Sequence, residues 1–157
     1  DCHRIIETAE SERTALEALG YLAGNLAPLF VRCDPADLSV VTDSDSAHTH
    51  LPTVTVYEVT PGGVGFCDEL IQRHGELLRM ARQRLSECDC QRGCPACVGP
   101  IDENSDRDLK AETAVLIDAL LRGGSDAYRP LPRVARRPSM SAFFSVALRL
   151  ASGCMRM

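Results

Sequence analysis

Apolar residues recur every three or four positions in three stretches of the chain. The first stretch covers about residues 5–26 and carries its acidic residues toward its N-terminal half. The second covers about residues 67–87, with arginines mainly opposite its apolar stripe. The third starts at Ser105 or Asp106, either of which is a suitable N-cap, and closes at Gly123-Gly124. The spacing therefore predicts three helices.

The remaining segments predict a small sheet and a tail. Residues 54–59 are mostly β-branched, include one aromatic residue and lie between two prolines, which indicates a strand. Residues 29–31, Leu-Phe-Val, predict a second short strand, and the polar residues 42–50 predict a loop. Residues 125–157 are rich in proline and arginine, which predicts a flexible basic tail with a short helix near residues 141–150. We expect an α+β domain over residues 1–124, with its small sheet packed by two or three helices.

The distribution of charge and the composition of the chain limit which classes of function we expect. Residues 1–121 hold 21 acidic and 10 basic side chains, a net charge of −11, whereas residues 122–157 hold seven arginines and one aspartate, a net charge of +6. Nucleic-acid binders usually show a basic footprint, so any DNA contact by the domain is expected to be local. No run of 18 apolar residues predicts a membrane span. The first residues, Asp1-Cys2-His3-Arg4, carry neither an initiator Met nor a signal pattern, so we expect a piece of a longer protein. Clustered cysteines of the metal-binding type, with the others single and scattered, indicate a reducing cytosol.

Four cysteines within ten residues are the strongest chemical signal. Cys88, Cys90, Cys94 and Cys97 follow the pattern C-x-C-x3-C-x2-C, and Gly93 can supply the positive φ that turns the chain between the two pairs. Four thiolates bind zinc tetrahedrally and leave no position for a substrate water, so the pattern predicts one structural zinc ion per chain. An iron–sulfur cluster or disulfides would use the same cysteines, although Cys88 and Cys90 are too close in sequence to be good disulfide partners.

Three other groups of residues are candidates for a site. Gly62, Gly63 and Gly65 precede the second helix and could bind a phosphate with backbone N–H groups, or form only a tight turn. His48 and His50 could bind a metal with Asp43 or Asp45, but a solvated loop is the simpler interpretation. A further set could contact DNA phosphates or be a solvated or interdomain face: Arg79, Arg82, Arg84, Arg92 and Lys110.

A thiol enzyme is a formal alternative. Cys67 opens the second helix, a position that lowers a thiol pKa, and His74 follows two turns later. Seven residues place the two side chains roughly 10 Å apart along the helix axis, so they are too far apart for a hydrogen-bonded pair. A small buried cysteine is the simpler interpretation of Cys67.

The order of strand, Pro-Gly-Gly-x-Gly turn, long helix and cysteine loop resembles the cysteine-rich, zinc-binding C-terminal domain of superfamily 2 DNA helicases of the mitomycin-repair type. The matching stretches are residues 57–65, residues 88–97 and Leu109-Lys110-Ala111-Glu112, within a region of about residues 29–121. The chain differs from the pattern at Glu58, where an aspartate is expected two or three residues before Pro61.

The resemblance implies an accessory domain of an ATP-dependent helicase that acts in DNA repair, in the cytoplasm at the nucleoid. Its partners would be helicase motor domains, in cis or in trans, and DNA, mainly through the parent protein. The chain has no Gly-x4-Gly-Lys-[Ser/Thr] motif, so ATP and Mg²⁺ would bind only the parent motor and this chain alone would not be an enzyme. The alternative is a stand-alone interaction module that partners a helicase in a system that restricts foreign DNA.

Overall fold

The computed structural model describes residues 9–47, 50–101, 105–123 and 143–147. These residues contain three α-helices and three strands, joined by turns and loops. A short 3-10 helix, Pro35–Asp37, lies between the first helix and the first strand. In chain order the elements are α1 (Ala9–Val31), β1 (Leu38–Asp43), β2 (Thr53–Glu58), α2 (Phe66–Glu87), α3 (Leu109–Gly123) and β3 (Phe143–Ala147).

The sheet is antiparallel in the order β1-β2-β3, so β2 is the central strand. Val40 pairs with Val56 across β1 and β2, and Val54 pairs with Val146 across β2 and β3. Alternate residues of a strand share one face, and Val54, Val56 and Glu58 are accordingly all buried on the face toward the helices.

Helix α1 is the centre of the packing, because it contacts β1, β2, α2 and α3. Gly20 lets it approach the sheet closely, since a Cβ there would lie 2.4 Å from the Cγ2 of Thr42. By length and composition alone, Glu12–Val31 would be apolar enough to cross a membrane, but half of this stretch is buried within the protein. That burial is the pattern of a core helix rather than evidence of a span.

The α+β class and the two best-defined elements are confirmed. The predicted strand at residues 54–59 is β2, and the predicted helix at residues 67–87 is α2. The predicted strand at residues 29–31 is wrong, because α1 continues through Pro28 to Val31. Pro28 lacks the N–H that would donate to the carbonyl of Gly24, so α1 loses one hydrogen bond there, while the burial of Ala27 and Val31 favours continuation of the helix. The second strand is instead β1, whose end, Thr42–Asp43, lies in the predicted loop.

Two smaller predictions are also corrected. The aspartate that caps α3 is Asp108, whose Oδ1 accepts a hydrogen bond from the backbone N–H of Ala111 at 2.9 Å, rather than Ser105 or Asp106. Within the tail, the predicted short helix is replaced by β3 at Phe143–Ala147, because aromatic and β-branched residues favour a strand and β2 offers an edge with which it pairs. Residue 124 and the other tail residues lie outside the described ranges, and the domain boundary at residue 124 stays a prediction.

Candidate metal centre

The four cysteines lie in the loop between α2 and α3. Cys88 is the C-cap of α2, so the helix end fixes the first ligand. Gly93 has a φ of +132°, and a Cβ there would lie 2.5 Å from the Cγ2 of Val98, so the expected glycine turn is confirmed. The last two ligands share a tight turn in which the backbone N–H of Cys97 donates to the carbonyl of Cys94 at 3.0 Å.

The sulfur positions fit one tetrahedral ion. All four Sγ atoms lie within 4.8 Å of one another. The Sγ–Sγ distances are 3.5 Å for Cys88–Cys94, 3.5 Å for Cys90–Cys97 and 3.7 Å for Cys94–Cys97. A tetrahedron with Zn–S bonds of about 2.3 Å has edges of about 3.8 Å, whereas a disulfide requires about 2.05 Å. The thiols are therefore unpaired and arranged for one ion, and a cluster of several irons would separate them further.

The thiols differ in how readily they ionise. A hydrogen bond from the Cys90 backbone, with further bonds among the thiols, lowers the pKa of Cys88 to about 7. Burial raises the pKa of Cys90, and it raises the pKa of Cys97 to about 12. Cys97 is fully buried, whereas the other three cysteines are half-buried. A zinc ion would replace the protons of the buried thiols, so binding would release protons.

Each of the three helices donates a hydrogen bond to a backbone carbonyl of the cysteine loop. Tyr21 of α1 donates its hydroxyl to the carbonyl of Pro95 at 2.7 Å, and Arg84 of α2 donates to Ala96 at 3.2 Å. Lys110 of α3 donates its ammonium to the carbonyls of Cys88 at 2.6 Å and Cys90 at 2.8 Å. The loop is thus joined to each of the α-helices in the described part of the chain, and its geometry depends on how these helices pack.

The glycine turn already holds an anion, which is the carboxylate of Glu58. This side chain is 1% exposed, and it accepts hydrogen bonds from the backbone N–H groups of Val64, Gly65 (3.2 Å) and Cys67 (2.9 Å). Gly62, Gly63 and Gly65 all have positive φ, which opens the turn around the carboxylate. The phosphate role of these glycines stays a prediction, and it would require Glu58 to leave.

The predicted DNA-contact residues do not form one free basic surface. Arg82 pairs with Asp118 at 3.0 Å, and Arg92 lies 3.5 Å from Asp106. Arg84 and Lys110 donate to the cysteine loop, as described above. Arg79 is exposed on α2. DNA contact by these residues stays a prediction, and for all but Arg79 it would compete with a contact inside the domain.

The candidates for a thiol enzyme and for a second metal site are Cys67, His74 and the two histidines His48 and His50. Cys67 is 1% exposed and its thiol lies 3.7 Å from the carbonyl of Val56, so the buried-cysteine interpretation is confirmed. The Nδ1 of His74 lies 2.8 Å from the carbonyl of Ile71. His50 is exposed, and His48 lies outside the described residues.

Sequence reasoning missed the roles of Glu58 and Tyr21. For Glu58 a signal was present, since position 58 shares the inward face of β2 with Val54 and Val56, and a buried carboxylate needs donors. For Tyr21 no local signal exists, because its partner Pro95 is 74 residues away in the sequence.

Comparison with known proteins agrees with this geometry. Residues 19–98 match the model of the family described as the MrfA Zn-binding domain. Over 92 residues, the chain is 37% identical to a protein of Bacillus subtilis (strain 168) named uncharacterized ATP-dependent helicase YprA. This alignment covers 59% of the chain but 12% of that protein.

Two solved structures are also similar. One is a crystal structure of DUF1998 helicase MrfA bound to DNA, with a TM-score of 0.66 and 29% identity over 71% of this chain and 15% of that one. The other is the same helicase bound to DNA and AMPPNP, with a TM-score of 0.58 and 31% identity over 66% of this chain and 14% of that one. The family match spans half of the chain, from α1 to the last cysteine ligand, and this chain is therefore a member of the MrfA Zn-binding domain family.

Proposed function

We propose that this chain is the zinc-stabilised accessory domain of an ATP-dependent DNA helicase that acts in DNA repair. It packs against the motor domains, in cis or in trans, and helps to form the channel that holds DNA, in the cytoplasm at the nucleoid. The observation that carries the proposal is the tetrahedral set of four thiols inside a family match to the zinc-binding domain of a helicase.

The geometry supports a structural role for the zinc ion. Four thiolates complete its tetrahedral shell, so the ion has no open position at which to polarise a substrate or activate water. Cys88, Cys90, Cys94 and Cys97 would hold it, and what the ion would supply there is folding energy. Because all three helices donate hydrogen bonds to the loop, that energy would stabilise the whole domain.

The motor activity is assigned to the parent protein. The sequence lacks a phosphate-binding loop of the Walker type, and its one lysine, Lys110, follows a leucine instead of a glycine. The relatives named as helicases are several times longer, since the chain covers 12–15% of them. An accessory domain of this size fits a helicase whose ATP site lies elsewhere.

The proposal is tested by strand separation in the helicase that carries this domain. Cys94→Ser removes one zinc ligand, and Cys33→Ser is the matched control because Cys33 is a half-buried free cysteine outside the cluster. We expect Cys94→Ser to lose zinc and strand separation, while Cys33→Ser keeps both. Normal strand separation by a zinc-free Cys94→Ser protein would contradict the proposal.

A further inference from the structure

Lys110 is set apart by its contacts and by its residue type. Of the 17 lysine and arginine residues in the chain, it is the only lysine. Its ammonium donates to the carbonyls of two metal ligands, Cys88 and Cys90, at 2.6 and 2.8 Å. Its backbone N–H donates to the carbonyl of Arg92 at 3.0 Å. One residue in the first turn of α3 therefore contacts three residues of the cysteine loop.

The two halves of the cysteine loop are held in different ways. The half from Cys94 to Cys97 has a backbone turn of its own, in which the N–H groups of Cys97 and Val98 both donate to the carbonyl of Cys94. The half that carries Cys88 and Cys90 follows the end of α2, and its carbonyls are taken by Lys110. The backbone that carries the first two sulfurs is thus held by the end of α2 at Cys88 and by a side chain from another helix, Lys110.

The chemistry of the contact suits lysine better than arginine. An ammonium is a compact charge with three donors that can point at separate carbonyls, whereas a guanidinium is a planar fork that matches carboxylates and phosphates. Arginine supplies every other basic side chain here, including those that pair with carboxylates on α2 and α3. A lysine at this position is the expected residue for binding two carbonyls.

We propose that Lys110 is the positioning residue of the zinc site, holding the Cys88 and Cys90 half of the loop against α3 so that all four thiolates reach one ion. Its positive charge also offsets the roughly two negative charges that four thiolates leave around a zinc ion. Groups that orient metal ligands from outside typically contribute about 10- to 100-fold in metal affinity. This inference rests on the zinc site of the proposed function, but it concerns how tightly the ion is held, not what the domain does in the helicase.

Zinc release to a chromogenic chelator measures the effect directly. Lys110→Met keeps the length of the side chain and removes its charge and donors, so we expect zinc affinity to fall about 10- to 100-fold and release to be faster. In the cobalt-substituted protein, the visible absorption of tetrahedral Co²⁺-thiolate should weaken or shift. Lys110→Arg keeps the positive charge but has a different donor geometry, so its rate of zinc release should lie between those of the wild-type chain and Lys110→Met.

Two matched variants separate this role from general effects. Arg122→Met removes a positive charge from the other end of α3, 12 residues and about 18 Å away, and should leave zinc release unchanged. Tyr21→Phe removes a neutral hydrogen bond to the same loop and should change zinc release less than Lys110→Met does. If Lys110→Met releases zinc at the wild-type rate, or no faster than Arg122→Met, Lys110 is not the positioning residue.

The wild-type chain gives a second test in case Lys110→Met does not fold. The amines of the chain are the ammonium of Lys110 and the N-terminus, so peptide mapping of the stable amide products follows Lys110 separately from the N-terminus and from any acylated thiol. Lys110 should be acylated more slowly in the zinc-loaded chain than after chelator treatment, and equal rates would overturn the proposal. The proposed function is tested independently of Lys110, because it is contradicted only by normal strand separation in a zinc-free Cys94→Ser protein.

Discussion

Glu58 provides the sharpest prediction about how the domain is held together. Glu58 is 1% exposed, and its carboxylate accepts hydrogen bonds from three backbone N–H groups at the start of α2. The N-cap of this helix, Gly65, offers no side chain of its own to accept them. Glu58, at the end of β2, therefore acts as the capping side chain of α2. We expect Glu58→Ala to lower the free energy of unfolding strongly.

The size of the effect follows from which donors water can reach. Val64 and Gly65 are exposed, so their N–H groups can bind water once the carboxylate is gone. Cys67 is 1% exposed, and its N–H would be left buried without a partner, which costs about 1–3 kcal/mol. Loss of a helix cap adds about 0.5–2 kcal/mol. The two contributions sum to about 1.5–5 kcal/mol, a large part of the roughly 5–15 kcal/mol by which proteins are stable.

Urea unfolding of the zinc-loaded chain measures this loss, with zinc content checked before each titration. The matched control is Glu76→Ala, which removes an exposed carboxylate that pairs with Arg73 on the surface of α2. Exposed ion pairs contribute little, so the control should change stability much less. A Glu58→Ala protein as stable as Glu76→Ala would refute the assignment of Glu58 as the cap of α2.

Three further predictions concern the cysteine loop and its surroundings. Cys94→Ser should lower the melting temperature sharply and abolish zinc binding, because folding and metal binding are coupled at such sites, and an unchanged melting curve with zinc lost would contradict this. Gly93→Ala should cost more than about 1 kcal/mol in urea unfolding, since alanine is strained at a φ of +132° and its Cβ would meet Val98. Arg82→Met removes a half-exposed pair with Asp118 and should cost less than about 1 kcal/mol in the same assay.

The parts of the fold that the sequence predicts well are those with a strong local pattern. β2 is bounded by prolines and rich in β-branched residues, and α2 has a clear apolar stripe. The sequence wrongly predicts a strand at the C-terminal end of α1, because Leu29-Phe30-Val31 has the composition of a strand, whereas its helical state follows from packing. Leu29 is 72% exposed while Val31 is 7% exposed, a contrast that only the tertiary structure sets.

The metal ligands could be found from sequence because their spacing alone brings them together. Cys88 to Cys97 span ten residues, and a turn at Gly93 is enough to bring the sulfurs to one point. The groups that orient this loop come from residues 74 and 20 positions away in the sequence, as with Tyr21 and Lys110. The sequence therefore predicts Lys110 only as a possible DNA contact, and its hydrogen bonds to the carbonyls of two cysteine ligands follow from the packing of α3.

The glycine turn is a motif whose sequence predicts that an anion is bound but not which anion. Positive-φ glycines before a helix expose N–H groups that attract an anion, and the chemistry is the same for a phosphate and for a carboxylate of the chain itself. The pattern Pro-Gly-Gly-x-Gly therefore predicts an anion without identifying it. Here the position of Glu58 on the inward face of β2 decides which anion is bound. It places the carboxylate at the turn without the loss of translational and rotational freedom that a separate anion undergoes on binding. A DNA phosphate would have to displace an anion that is already covalently part of the domain, so DNA contact is better sought at exposed residues such as Arg79.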